Sequence, residues 1–117
     1  MSDYPNDKAK HGVYSVLAGV HLDLKEYAKA LENFKKATDL NPKSELASLG
    51  LYVTYVELDS DEEAIGELIR YLKGNPAKLY KDTLEELLEG LEKGYMTNFK
   101  DDIKDLARIN GVKIHDN

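Results

Sequence analysis

The chain has 117 residues, which is enough for one domain with a modest hydrophobic core. It carries 22 acidic and 16 basic side chains and a formal net charge of -6, which argues against a nucleic-acid binder because such proteins need a basic face. The sequence has no cysteine, so disulfides and thiolate metal sites are excluded, and no apolar run approaches the ~20 residues of a membrane span. The polar N-terminus lacks the basic and apolar regions of a signal peptide, so we expect a cytoplasmic protein.

The first part of the chain predicts a helical hairpin. Residues 1–8 are polar and without periodicity, so we expect a flexible N-terminal tail followed by a single domain over residues 9–117. From there a helix is predicted, because apolar and aromatic residues recur at three- and four-residue spacing: Val13, Tyr14, Leu17, Val20 and His21. After a short turn, a second helix is predicted to end near Leu40, because Pro42 disfavours helix in the residue before it.

Two further hairpins are predicted in the rest of the chain. One has helices over about 44–58 and 60–73. The other has a long amphipathic helix rich in leucine, a break near 94–98, and a last helix that directs inward Phe99, Ile103, Leu106 and Ile109. Asn110 and Gly111 stop that helix, since both residues tolerate the left-handed conformation. No segment indicates a strand, so we expect an all-α fold of about six helices.

A fixed period relates the first two hairpins. The following pairs stand 34 residues apart: Leu17 and Leu51, Ala30 and Ala64, Asn41 and Asn75, Pro42 and Pro76. A period of this length is typical of repeat architectures, in which each unit buries its apolar face against the next. Proteins built this way usually bind other proteins.

The residues at these positions resemble the tetratricopeptide repeat. The first unit, residues 11–44, carries its pattern at Tyr14, Leu17, Ala18, His21, Ala30, Phe34, Ala37 and Pro42. The second unit, residues 45–78, carries it at Ser48, Leu51, Tyr52, Tyr55, Ala64, Leu68, Tyr71 and Pro76. Tyr52 replaces a small residue that lets the two helices approach, and we expect Gly50 and Gly66 to relieve the crowding. The resemblance implies a right-handed stack of helix-turn-helix hairpins, a tetratricopeptide-like α-solenoid.

The third unit, residues 79–110, keeps the pattern only with insertions. At a strict 34-residue period Glu85 and Glu89 would fall in the core, where unpaired carboxylates are costly. A shift to 36 places leucines there instead, and the last helix needs a shift of 38. Two short insertions, near residues 75–78 and 95–98, account for both shifts. We expect a divergent repeat that caps the stack.

Tetratricopeptide proteins generally hold ligands in a concave surface lined by the first helix of each hairpin. Carried over to this sequence, the resemblance implies a groove with three rows. The first row is mostly small and consists of Gly12, Ser15, Gly19, Leu22 and Asp23. The second is mostly apolar and consists of Leu46, Leu49, Val53, Val56 and Glu57. The third is acidic and consists of Asp82, Glu85, Glu89 and Glu92.

The second row adds an apolar face to a helix that already has one, at Leu51 and Tyr55. A helix that is apolar on two faces must be covered on both or expose a sticky surface. We therefore expect the groove to bind a peptide or amphipathic helix that has an apolar face and basic residues at one end. The alternatives are that the chain's own N- or C-terminal tail covers this row, or that the row forms a homodimer interface. The acidic row either contributes to binding or keeps the cap soluble.

Nothing in the sequence indicates catalysis, a cofactor or a metal. His11, His21 and His115 are far apart and lack carboxylate or thiol neighbours at ligand spacing. A glycine-rich phosphate loop and a nucleophile–base pattern are both missing. The predicted function is a non-catalytic protein-interaction module, a scaffold or adaptor. The alternative is an assembly module that homo-oligomerises through the apolar row.

Overall fold

The computed structural model describes residues 7–114, which form helices joined by short turns. The helices are α1 (Asp7–Asp23), α2 (Tyr27–Leu40), α3 (Glu45–Glu57), α4 (Asp61–Gly74), α5 (Tyr80–Glu92) and α6 (Lys100–Ile109). A single 3-10 turn, Thr97–Phe99, precedes α6, and no strand occurs in the described part of the chain. The predicted all-α fold of about six helices is confirmed.

The chain divides into two compact units, and the boundary falls within α4. The first unit ends at Tyr71 and the second begins at Leu72. α1 begins two residues before the predicted start at Ala9, whereas residues 1–6 of the predicted tail lie outside the described residues, as does His115. The repeat boundaries within the chain stay predictions.

The turns after α1 and α3 share one backbone geometry. Lys25 and Asp59, which are 34 residues apart, have positive φ angles of 61° and 56°. The residues that follow, Glu26 and Ser60, each donate the backbone N–H to a carbonyl oxygen five residues earlier, at an N···O distance of 2.8 Å in both cases. This arrangement closes the C-terminal end of a helix through a left-handed residue. The period of the sequence is thus reproduced in the backbone of the two turns.

α2 packs against both α1 and α3 and lies at the centre of the first unit. The core there consists of the buried residues Ala18, Ala30, Phe34 and Leu51. Gly50 permits the close approach of α2 and α3, because a Cβ atom at this position would overlap the Phe34 ring. A Cβ atom at Gly66 would meet no atom within 4 Å, so the prediction that Gly66 relieves crowding is wrong.

A buried polar cluster joins α3 to α4. The Ser48 hydroxyl donates to Glu67 Oε2 at 2.6 Å, and Arg70 donates to both Glu67 carboxylate oxygens at 2.6 and 2.8 Å. Ser48 and Glu67 are buried, and burial of a carboxylate is tolerated because these three donors satisfy its oxygens. Arg70 Nη1 also donates to the Pro42 carbonyl at 3.2 Å, so α4 is tied to the turn between α2 and α3.

In the second unit, α5 and α6 pack against each other. Their buried residues include Leu84, Leu87, Ile103, Leu106 and Ala107. Glu85, Glu86 and Glu89 are exposed, in agreement with the shifted register. Gly94, with φ 89°, follows α5 in the same way that Lys25 follows α1 and Asp59 follows α3. Five residues lie between Gly94 and the start of α6, whereas one residue separates Lys25 from α2 and one separates Asp59 from α4. The extra residues match the insertion predicted near residues 95–98.

The end of α6 is closed by Asn110 and Gly111, as predicted. Gly111 has φ 72°, and Val112 N–H donates to the Ala107 carbonyl at 2.8 Å. The Asn110 side chain accepts from Ala77 N–H at 2.8 Å, which ties the end of α6 to the turn before α5. Both contacts lie within the second unit.

The prediction that Ile109 lies inward is wrong, and part of the periodic stripe of α1 is also exposed. Leu17 is 45% exposed, and Val13 and Val20 are exposed with it, because no described helix packs over that side of α1. Ile109 is 75% exposed, since it is the last residue of α6 and lies beyond the buried stripe that ends at Ala107. Tyr14 and His21 are half-buried.

Candidate functional site

A cavity of about 500 Å³ opens in the first unit, and we name it the first-unit cavity. Residues of α1, α2 and α3, and Ser44 before α3, form its walls. They are His11, Gly12, Ser15, Val16, Gly19, Leu22, Phe34, Ser44, Leu46, Leu49 and Gly50. None of these is a carboxylate, a lysine or an arginine, so the cavity offers apolar surface and backbone rather than charge.

The cavity brings together much of the predicted groove. From the first two rows its lining includes Gly12, Ser15, Gly19, Leu22, Leu46 and Leu49. Its lining does not include Asp23, Val53, Val56 or Glu57. The predicted residues of α3 that do not line the cavity lie further along the helix, because α3 contributes to the lining only up to Gly50. The binding role of all these residues stays a prediction.

Five residues of the lining are not in the predicted rows: His11, Val16, Phe34, Ser44 and Gly50. His11 stands four residues before Ser15, and Gly50 stands four residues after Leu46, so helical periodicity extends the rows to both. Phe34 belongs to the second helix of its hairpin, which the three-row scheme leaves out. Its ring reaches the cavity because Gly50 lacks a side chain.

Two glycines keep the α1 side of the cavity open. A Cβ atom at Gly12 or Gly19 would meet no atom within 4 Å. Each glycine costs a helix interior about 1 kcal/mol relative to alanine, so α1 is less stable with them than without them. In return the backbone of α1 is accessible from the cavity, which suits a ligand that approaches closely.

Two polar atoms in the lining have no hydrogen-bond partner among the described residues. They are His11 Nδ1 and Ser15 Oγ, and both are buried. The other ring nitrogen, His11 Nε2, lies 3.5 Å from the Asn41 amide nitrogen. Since buried polar atoms are almost always hydrogen-bonded, these are the two groups that the fold leaves unsatisfied beside the cavity.

A second cavity, of about 660 Å³, lies within the second unit, and we name it the second-unit cavity. Its lining is Glu85, Leu88, Glu89, Leu91, Glu92, Thr97, Lys100, Lys104, Lys113 and Ile114. Three residues of the predicted third row are therefore here, and Asp82 is not. Three lysines also line this cavity, so its surface is mixed in charge rather than acidic. Opposite charges so close reduce the attraction for a basic partner that the acidic row alone predicts.

The titratable groups of the described residues determine the metal-binding arrangements and the altered pKa values. No group of three or more His, Cys, Asp or Glu residues able to hold a metal ion occurs in the described part of the chain. His21 Nδ1 lies 3.0 Å from Glu26 Oε1 in the turn between α1 and α2. This hydrogen bond, aided by Lys29, holds the pKa of the Glu26 carboxyl below its usual value. Within the described residues, no helix has both the length and the apolar character needed to span a membrane.

Comparison with known families agrees with the hairpin geometry. The family model described as tetratricopeptide repeat matches residues 21–87, more than half of the chain. The chain belongs to the tetratricopeptide repeat family. Tetratricopeptide repeats generally mediate protein–protein interaction, and the family is typically non-catalytic. No curated protein and no solved structure matched the chain. The span matched as tetratricopeptide repeat begins at the end of α1 and extends into α5.

Proposed function

We propose that this tetratricopeptide repeat protein is a non-catalytic interaction module whose first-unit cavity binds an apolar segment of a partner protein. The observation that supports the proposal is the composition of the cavity wall. The wall contains no carboxylate, lysine or arginine. Because Gly12 and Gly19 have no side chain, a ligand can approach the backbone of α1 closely. An amphipathic helix or a peptide with a leucine face fits such a surface, because burial of apolar area is the main source of affinity there.

The lining also indicates how the partner segment is held. Leu46 is 64% exposed and Leu49 is half-buried, so both gain by being covered. His11 Nδ1 and Ser15 Oγ supply two polar groups that lack partners within the fold. Both atoms are buried, so the affinity for the segment rests on the apolar lining.

A cavity-filling substitution tests the proposal without weakening the fold. In Gly12→Leu and Gly19→Leu, the new side chain enters the cavity. Each change also removes a helix-interior glycine, so we expect stability to rise by up to about 1 kcal/mol. Gly66→Leu is the matched control, because Gly66 is also helical and open but does not line the cavity. All three variants should therefore remain folded.

The probe is a fluorescent amphipathic peptide with leucine on one face and lysine on the other, and its binding is followed by polarisation. We expect Gly12→Leu and Gly19→Leu to weaken binding at least ten-fold and Gly66→Leu to leave it unchanged. In amide spectra the peptide should move the signals of Gly12, Gly19 and Gly50 but not that of Gly111. Equal affinity for wild type and Gly19→Leu would show that the cavity is not the binding site.

The alternative function, homo-oligomerisation through the same apolar surface, predicts a different result. In that case Gly19→Leu lowers the molecular mass measured by sedimentation without any peptide present. Val16 and Leu46 would then become protected from solvent as protein concentration rises. We favour the partner-binding function because the glycines of the wall leave a concave space, and a second copy of the same concave surface would not fill it.

A further inference from the structure

The second-unit cavity carries charges of both signs, and the two signs come from different elements. Its carboxylates all belong to α5 and form what we name the acidic wall: Glu85, Glu89 and Glu92. Its lysines belong to α6 or to the segment that follows α6 and form the basic wall: Lys100, Lys104 and Lys113. Since α5 and α6 pack against each other, a ligand in this cavity meets both walls at once.

Helix geometry explains why the charges are separated. Spacings of four and three residues place the three carboxylates on one side of α5, in successive turns. A spacing of four residues does the same for Lys100 and Lys104 on α6. The rest of the lining is mainly apolar and half-buried, and consists of Leu88, Leu91 and Ile114 together with Thr97. The cavity therefore combines an apolar surface with two edges of opposite charge.

The two walls are not joined by direct ion pairs. Within residues 7–114, no ion pair involves Glu85, Glu89 or Glu92. These carboxylates are exposed, as are Lys100 and Lys113. A ligand that carried charges of one sign would be attracted by one wall and repelled by the other. The cavity thus favours a ligand that presents positive charge to α5 and negative charge to the basic wall.

A helix of a partner protein meets this requirement along the whole acidic wall. Glu85 and Glu92 are seven residues apart, which is about 10 Å along α5 at 1.5 Å per residue, and two turns of a second helix span the same distance. Helices commonly select their partners through an apolar seam with charged residues along its edges. An extended segment would instead bring unpaired backbone groups against Leu88 and Leu91, and the described part of the chain has no strand to pair with them.

We propose that the second-unit cavity binds one helix of a partner protein, with basic residues along one edge of its apolar stripe and acidic residues along the other. The stripe covers Leu88, Leu91 and Ile114, the basic edge lies against the acidic wall, and the acidic edge lies against the basic wall. Turning a helix end for end exchanges its two edges, so the charges also fix the direction in which the helix lies. This inference is independent of the proposed function, which concerns the first-unit cavity.

Three designed helical peptides with the same leucine stripe test the charge pattern. The mixed peptide has lysine on one edge and glutamate on the other, the second has lysine on both edges, and the third has glutamate on both. Binding is followed by polarisation in the Gly19→Leu background, in which the first-unit cavity is filled. We expect the mixed peptide to bind more tightly than either of the others by about five-fold or more at low salt. The difference should shrink at about 0.5 M salt, which screens exposed charges. Equal affinities, or no binding of the mixed peptide, would refute the proposal.

Charge reversal tests whether the peptide lies in the cavity. Glu85→Lys with Glu89→Lys makes the acidic wall basic, so this variant should prefer the glutamate-edged peptide. The matched control is Asp82→Lys with Glu86→Lys, which changes the net charge equally at exposed positions of α5 that do not line the cavity. The control should keep the preference for the mixed peptide. Because all four residues are exposed, both variants should retain the helical circular dichroism of the parent. The same change of preference in both variants would show that net charge, and not the cavity, selects the peptide.

A spin label at the N-terminus of the peptide tests the direction. A mirror peptide, in which the lysine and glutamate edges are exchanged, should bind as tightly as the mixed peptide but lie the opposite way round. Thr97 lies in the turn after α5, and Glu85 lies seven residues before the last residue of α5, so their amide signals report on the two ends of the cavity. We expect one peptide to broaden the signal of Thr97 and the other that of Glu85. Broadening of the same signal by both peptides would contradict a direction fixed by charge.

Two other occupants of the cavity predict different results. If residues 115–117 of the chain itself occupied it, their deletion would tighten binding of the mixed peptide by about five-fold or more. If a second copy of the chain occupied it, sedimentation would show a dimer without peptide, and Glu85→Lys with Glu89→Lys would dissociate that dimer. We expect unchanged peptide affinity after the deletion and a monomer without peptide. Either of the other results would overturn the assignment of a partner helix to this cavity.

Discussion

α1 and α3 occupy equivalent positions in two repeats, but only α3 has its outer face covered. Leu51 is 4% exposed and Leu17 is 45% exposed, although the two residues are 34 positions apart and chemically identical. The turns that follow them have the same backbone hydrogen bonds. The local fold is therefore the same, and the neighbour alone makes the difference. Burial in a repeat protein is decided by the adjacent unit, which is why the first repeat retains an apolar face.

The largest expected effect is the difference in stability loss between alanine variants of Leu51 and Leu17. Leu51→Ala leaves a cavity between α2 and α3 and should cost about 2–5 kcal/mol of unfolding free energy. Leu17→Ala removes an exposed side chain and should cost less than about 1 kcal/mol. Urea unfolding followed by circular dichroism at micromolar concentration measures both. Similar losses for the two variants would mean that α1 is covered as α3 is.

The next largest effect is expected from two helical glycines, of which Gly50 is packed against a side chain and Gly66 is open. Gly50→Ala forces a Cβ atom into the Phe34 ring and should destabilise the protein by about 1–3 kcal/mol. Gly66→Ala meets no atom and should stabilise it by about 0.5–1 kcal/mol through helix propensity. Thermal unfolding of the two variants gives opposite signs. A stabilised Gly50→Ala would show that α2 and α3 are further apart than the structure has them.

The sequence predicts the helices well because their ends are marked by particular residues. Pro42 marks the end of α2, and Asn110 with Gly111 marks the end of α6. The register of α5 follows from the cost of burying Glu85 and Glu89, and both are exposed. These signals are local, so a single sequence is enough to interpret them.

Burial and cavity shape are predicted less well because they depend on neighbours. Leu17 and Ile109 match an inward pattern but face no covering element in the described chain. In the candidate site, the small row of α1 lies in the cavity, whereas Val53 and Val56 do not, since the cavity ends at Gly50 along α3. The sequence pattern does not predict Phe34 in the site, because its ring reaches the cavity only where Gly50 lacks a side chain.

A third comparison concerns one ion pair within the second helix of each of the first two hairpins. In the second repeat, Arg70 satisfies the buried Glu67 carboxylate, and Arg70→Ala should cost about 1–2 kcal/mol because that carboxylate loses two donors. In the first repeat the equivalent residue is Lys36, which pairs with the exposed Glu32 at 3.3 Å. Lys36 Nζ also lies 5.5 Å from the centre of the Tyr14 ring, so Lys36→Ala should cost less than about 1 kcal/mol. Chemical denaturation resolves the two, and equal effects would contradict the burial of Glu67.

A smaller effect distinguishes the two left-handed turn residues. Lys25 and Asp59 both have positive φ, a conformation that aspartate tolerates better than lysine. Lys25→Gly should therefore stabilise the protein by about 0.5–1 kcal/mol, and Asp59→Gly by less. Differential scanning calorimetry measures the two shifts in melting temperature. A loss of stability in Lys25→Gly would mean that the lysine side chain contributes contacts that outweigh the strain.

The smallest expected effect is a dependence of stability on pH, and it arises in the turn between α1 and α2. His21 and Glu26 form a hydrogen bond there, whereas the equivalent residues of the second turn are Tyr55 and Ser60, which are neither a carboxylate nor an imidazole. The His21 bond lowers the pKa of Glu26 below its usual value of 4.5, so Glu26 binds a proton less readily in the folded chain than in the unfolded one. Its contribution to stability is therefore present above pH 4.5 and is lost as pH falls through the lowered pKa.

We expect Glu26→Gln to melt slightly below wild type at pH 7 and to match it near pH 3. His21→Ala should remove the same part of the pH dependence, because it removes the main cause of the shift. A difference between wild type and Glu26→Gln that grows as pH falls would have the wrong sign and would show that the carboxylate is not stabilised by this turn.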